Sequence, residues 1–154
     1  MNRFMRRAIQ EATRGLRRGE GGPFGAVIVR GGRIVAVAHN TVLLTNDPTC
    51  HAEMNAIREA ARKLKRFDLS DCEIYSSCEP CPMCFAAIHW AKMRRLYQGC
   101  TARDAERIGF DDRFIYDAIR GTAGRRQVRV RSLDRKACLE PFRLWESMAD
   151  KKRY

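Results

Sequence analysis

Two short motifs limit what this chain can fold into more than any other feature of it. His51-Ala52-Glu53 and Pro80-Cys81-Pro82-Met83-Cys84 each gather side chains that ligate metals or move protons, and each stands where a helix should begin. Cys81 and Cys84 are three residues apart, so in a first helical turn both sulfurs lie on one face. The partial positive charge at that end of a helix favours thiolates, the form that binds a metal. A fold that uses both motifs must carry two helix starts to one point, and each motif follows a strand or loop able to deliver it there.

The rest of the pattern supplies such a frame. Asn2 to Arg18 reads as an amphipathic helix, with Met5, Ala8, Ile9, Ala12 and Leu16 on one face and Arg3, Arg7, Arg14 and Arg18 on another. Gly19 to Pro23 breaks it. Phe24 to Arg30 and Arg33 to Thr41 are apolar, β-branched runs on either side of Gly31-Gly32, a hairpin signature. Asn46-Asp47-Pro48 reads as a cap with proline at the first helical position, and a helix is expected from there to about Leu64. Cys72 to Ser76 reads as a strand, Pro82 to Ala91 as a second capped helix and Arg94 to Gln98 as another strand. Asp104 to Gly109 reads as a helical turn leading into a segment from Phe110 to Arg120. Gln127 to Arg131 alternates as a strand, and Pro141 to Ala149 makes a final helix. Strands alternating with helices after an opening hairpin predict a three-layer α/β domain. The 154 residues carry no repeat or linker and read as one domain over 1–154, long enough to bury a core without a staple.

The two motifs, in this order, resemble the His-x-Glu and Pro-Cys-x-x-Cys signature of the zinc deaminases. The physics of the residues agrees. Zinc takes a neutral histidine and two thiolates tetrahedrally, so His51, Cys81 and Cys84 predict one Zn2+ per chain with water in the fourth position. Zinc lowers the pKa of that water toward about 7 and makes hydroxide available at neutral pH. Glu53, two residues from His51, is near enough to shuttle the proton to a substrate without ligating the metal. A closed structural zinc site is the alternative, because Cys78 and Cys50 offer a fourth sulfur on paper. Cys78, however, falls at a strand end before the helix-starting proline, and a structural site has no use for Glu53. Cys72, Cys100 and Cys138 read as small core residues. Seven cysteines without an apolar leader in Met1 to Arg7 read as reduced thiols of a cytoplasmic protein. No apolar run approaches the ~18 residues of a membrane span.

The chain resembles the bacterial guanine deaminases of the cytidine-deaminase-like superfamily over nearly its whole length. The resemblance rests on Gly21 to Val29, Asn46 to Thr49, Ser77 to Cys84, Gly109 to Tyr116 and the ending Lys151-Lys152-Arg153-Tyr154. Cys50 and His39 depart from the family's pattern. The resemblance implies an α/β/α cytidine-deaminase-like fold with a central mixed five-stranded sheet, a homodimer, and the reaction of guanine and water to xanthine and ammonia. It also implies that Phe24, Asn40, Ala52, Glu53, Trp90, Asp112 and Tyr154 contact the purine, with Phe24 and Trp90 as aromatic walls and residues 150–154 closing the site. Each residue has a plainer role open to it. Asn40 can end a turn, Asp112 can cap the following helix, Phe24 and Trp90 can be core, and Tyr154 can belong to a solvated tail.

Charge bears on the rivals. The chain carries 30 basic and 18 acidic residues, a net +12, and 24 of the basic residues are arginine. Such a surface attracts polyanions without choosing among them. A tRNA adenosine deaminase, which shares the zinc site and would use the charge on RNA phosphates, is one alternative to a purine enzyme. A non-catalytic zinc-ribbon RNA-binding module is an alternative of another class.

Overall fold

The structure, a computed structural model, describes residues 1–122 and 128–153. In chain order its elements are α1 (Arg3–Arg17), β1 (Gly25–Arg30), β2 (Arg33–His39), α2 (Val42–Thr45), α3 (Ala52–Leu64), β3 (Cys72–Cys78), α4 (Pro82–Trp90), β4 (Arg95–Cys100), α5 (Ala102–Arg107), α6 (Arg113–Ile119), α7 (Arg135–Cys138) and α8 (Glu140–Ser147).

Gly31 and Gly32 both take positive φ, 52° and 74°, and turn β1 back onto β2. Two successive left-handed residues are what a tight hairpin requires and what glycine adopts without a Cβ penalty. β1 pairs antiparallel with β2 on one side and β3 on the other, and β3 pairs parallel with β4, so the sheet is mixed and runs β2-β1-β3-β4. Side chains alternate across β1. Ala26 and Ile28 pack toward α3 and α4 with Ala36, Ala52, Ala56, Ile74 and Ile88. Val27 and Val29 pack the other way with Ala8 of α1 and Tyr75. Helices on both faces make the central strand apolar throughout, and the expected three layers are present.

The sheet has four strands among the described residues, not the expected five. Residues 128–131 form no strand, Gln127 lies outside the described residues, and Val128 and Val130 are 80% and 89% exposed. Alternation in sequence makes a strand only where the segment reaches a sheet edge, and residues 128–131 pair with neither β2 nor β4.

Three further expectations shift. The helix anticipated from Pro48 begins at Ala52, because Asp47 Oδ1 accepts from Thr49 N at 2.8 Å and closes a local turn first. The buried face of α1 is Ala8, Glu11, Ala12 and Gly15, while Ile9 and Leu16 are about half exposed. Small residues let this helix lie close on the sheet, and a Cβ on Gly25 would come within 2.2 Å of Ala8 O. Cys72 is buried as expected, but Cys100 and Cys138 are exposed.

Candidate active site

β3 ends at Cys78, and the chain turns through Glu79-Pro80 into α4. Cys81 stands at the N-cap with φ −62° and ψ 167°, and Pro82 occupies the first turn, where its missing N–H costs nothing. His51 stands at the N-cap of α3 with φ −69° and ψ 158°. Neither residue caps its helix with its own side chain, so the imidazole and the thiol are both free for other work. Cys84 follows one turn into α4, fully buried.

The three side chains meet. His51 Nδ1 is 3.4 Å from Cys81 Sγ and 3.6 Å from Cys84 Sγ, and the three donor atoms lie within 4.8 Å of one another. Zinc bonds of about 2.3 Å to sulfur and about 2.0 Å to nitrogen set tetrahedral neighbours roughly 3.6 Å apart, so the set fits that ion as it stands. The fourth sulfurs lie elsewhere. Cys78 Sγ points to Thr101 O at 3.6 Å, and Cys50 Sγ sits 3.6 Å from an Arg58 nitrogen. The Cys84 thiol, donating to Cys81, holds the Cys81 thiol well below the usual cysteine range, with His51 adding to the effect. The hydrogen bond with Cys81 in turn pushes His51 up.

Glu53, in the first turn of α3, is buried. Burial pushes its carboxyl up, opposed by Ser76 Oγ, which donates to Glu53 Oε1 at 2.6 Å. Ser76, on β3, carries no motif signal, and the sequence pattern does not mark it. Nor does the pattern single out Glu79, whose Oε2 accepts from Ala102 N at 2.9 Å and anchors the start of α5 beside the site.

A cleft of about 750 Å³ opens over these groups, lined by His51, Glu53, Cys81, Phe24, Asn40, Glu79 and Asp112 among others. It is within the ordinary range for small-molecule sites. Asn40 both ends a turn and faces this cleft. Its Oδ1 accepts from Gly22 N (3.3 Å) and Val42 N (3.1 Å), so what it offers inward is its N–H2. Asp112 stands at the N-cap of α6 without capping it, leaving its carboxylate to the cleft. Burial pushes that carboxyl up, as do the nearby Cys81 and Glu79. Phe24 meets Phe110 edge to face, with centroids 5.0 Å apart. Ala52 is packed in the core behind His51. Trp90, at the far end of α4, is 66% exposed and does not line this cleft. Tyr154 lies outside the described residues.

The arrangement is suited to activating water beside a flat, hydrogen-bonding ring. The chain is similar to known proteins over this region and beyond it. The family model described as the cytidine and deoxycytidylate deaminase zinc-binding region matches residues 1–100. A guanine deaminase of Bacillus subtilis is 45% identical over 98% of this chain and 97% of its own. The X-ray structure of a guanine deaminase from that organism superposes with a TM-score of 0.93, covering 100% of this chain and 99% of the other at 45% identity. A tRNA-specific adenosine deaminase of Aquifex aeolicus is 44% identical, but over only 60% of this chain and 61% of its own. With both zinc motifs inside the matched region and a relative aligned from end to end, the chain belongs to the cytidine-deaminase-like family of zinc-binding deaminases.

Proposed function

We propose that this chain is a guanine deaminase, converting guanine and water to xanthine and ammonia. The observation that carries the reading is that Asn40 and Asp112 line the same cleft as the His51–Cys81–Cys84 set and Glu53. The full-length likeness to a guanine deaminase supports it. His51, Cys81 and Cys84 would hold one zinc ion per chain, which would supply Lewis-acid activation of a water molecule at neutral pH.

The protein's own groups do the rest. Glu53, steadied by Ser76 on one oxygen, takes a proton from the attacking water and passes it to purine N3. The water oxygen bonds to C2, Glu53 then moves the proton left on that oxygen to the amino nitrogen, and the C2–N bond breaks to release ammonia as the C2 carbonyl of xanthine forms. Asp112 accepts from the N–H edge of guanine, and Asn40 donates to a ring acceptor. Phe24 offers an aromatic face to the ring. Trp90 does not line the cleft of its own chain and is given no wall role, while residues 150–154, with Tyr154, close the site in this reading.

It includes a homodimer in the cytoplasm. The outer edge of β4 has no partner strand among the described residues. Phe142, Leu144, Trp145 and Met148 on and beside α8 are exposed, an apolar surface suited to a second copy of the chain. All seven cysteines are free thiols, in keeping with a reducing compartment. Among the described residues no helix is long and apolar enough to cross a membrane.

Ammonia release from free guanine, measured beside an adenosine-containing tRNA anticodon stem-loop, tests the assignment. Xanthine and ammonia from guanine, with the stem-loop unchanged, are expected. Inosine in the stem-loop without guanine turnover would make the chain a tRNA deaminase. Zinc-loaded protein inactive on both would return it to a binding module.

A further inference from the structure

Among the described residues the buried polar or charged side chains are Glu11, His39, Asn40, Glu53 and Ser76. Glu53 and Ser76 serve proton transfer, and Asn40 faces the cleft. Glu11 and His39 have no part in that chemistry, yet they are joined in one network. His39, the last residue of β2, places Nδ1 2.9 Å from Glu11 Oε1 on α1 and Nε2 2.5 Å from Glu20 Oε2. Arg7 and Arg14 hold Glu11 from the solvent side at 2.9 Å and 2.6 Å. The ring has a slot of its own, since a Cβ on Gly15 would meet His39 Cδ2 at 2.2 Å.

His39 thus stands between two carboxylates, one against each ring nitrogen. Burying such groups costs desolvation that apolar packing in the same space avoids, so net stability is a poor account of the cluster. Its neighbours suggest a different one. Glu20 heads the loop 20–24, of which Gly21, Gly22, Pro23 and Phe24 line the cleft. Gly22 N donates to Asn40 Oδ1, and Asn40 N donates to Phe24 O at 3.0 Å. Asn55 of α3 donates to His39 O at 3.1 Å and to Thr41 Oγ1 at 2.9 Å, tying the other side of Asn40 to the helix that begins at the zinc motif.

We propose that His39 is a positioning residue for purine binding: by bridging Glu11 on α1 to Glu20, it locks the loop 20–24 against Asn40, so that the Asn40 carboxamide meets the ring in one orientation. The proposal rests on the guanine deaminase reading, and on Asn40 as a purine contact in particular. His39 itself touches no substrate. Its loss leaves zinc and Glu53 in place and loosens the binding wall, so it acts on KM more than on kcat.

The test measures kcat and KM for guanine, zinc content and Tm in His39→Ala, Glu20→Ala, Glu20→Gln, His39→Ala/Glu20→Ala and Asn40→Ala. His39→Ala and Glu20→Ala should each raise KM by about tenfold, with kcat within about threefold and zinc unchanged, and the double variant should be no worse than the poorer single. Glu20→Gln keeps an acceptor for the ring and should recover most of the loss. Glu20 is partly exposed, so its variants carry the test if His39→Ala does not fold. An unchanged KM in the Glu20 and His39 variants beside a raised KM in Asn40→Ala removes the positioning role alone. A fall in kcat and zinc that tracks Tm reduces the cluster to a structural one. An unchanged KM in Asn40→Ala removes that residue from purine recognition, and the positioning role with it.

Discussion

A carboxylate that must take and return protons gains from standing where bulk water does not. Glu53 is buried and lines the cleft, with Ser76 holding one of its oxygens. Glu53→Gln keeps size and polarity but removes the proton carrier. Zinc and guanine binding should persist while turnover falls by at least about 10²-fold, read by metal analysis and steady-state kinetics. Wild-type turnover in the zinc-loaded variant would take Glu53 out of the chemistry. The ligands make a sharper contrast. Cys81→Ala and Cys84→Ala should each lose metal and activity, whereas Cys78→Ala, whose sulfur turns to Thr101, should keep both. His51, Glu53, Cys81 and Cys84 are legible in the sequence because motif spacing fixes which face of a helix a side chain occupies. Ser76 is not, since nothing in a run such as Cys72-Glu73-Ile74-Tyr75-Ser76 says which polar side chain a strand aims at a distant glutamate. Glu11 is hidden for a related reason: hydrophobic periodicity assigns a glutamate to solvent, and only the distant partner His39 brings it inside.

Elements register their neighbours through their smallest residues. α1 lies so close to β1 that Gly25 faces Ala8 O and Ala12 N, both backbone atoms that cannot swing aside. Gly25→Ala should therefore destabilise the protein by at least about 2 kcal/mol in denaturant melts, mainly by pushing α1 off the sheet. A loss within about 0.5 kcal/mol, the usual scatter of a surface substitution, would show that the close approach is not required. At this scale the hairpin, α1, α3, β3, α4 and β4 can all be read from turn residues and apolar runs. The start of α3 cannot, because a proline after Asn-Asp suits a turn as well as a helix, and the bond from Thr49 N to Asp47 decides for the turn. α2, four residues long, falls below the length at which periodicity says anything.

For the whole molecule the last third is where the sequence pattern says least. Val128 and Val130 alternate like a strand, yet no strand of the described residues pairs with them. Pairing is a long-range event that a local pattern does not record. The same stretch carries the tail, where the proposal can be checked directly. Removing residues 151–154 should cost guanine turnover far more than it costs Tm, because closing a site excludes water while adding few buried contacts. Wild-type kinetics in the truncated, zinc-loaded protein would count against a closing role for Tyr154. Sedimentation of the full chain should give a dimer, and a monomer with full activity would show that each site is complete alone.

The match to the zinc-binding region ends at residue 100, after His51, Glu53, Cys81 and Cys84 but before Asp112. That boundary has a meaning for descent. A lineage that rewrites its last third alters what lies over the metal and leaves the metal itself untouched, so new substrates can be tried without forfeiting the ability to split water. Such a chain keeps its metal-holding set on one stretch and part of its cleft wall, Asp112 and Ile115 among it, on another. A laboratory that seeks to redirect it would do best to begin with the cleft residues behind β4, whose change leaves the metal-holding set untouched.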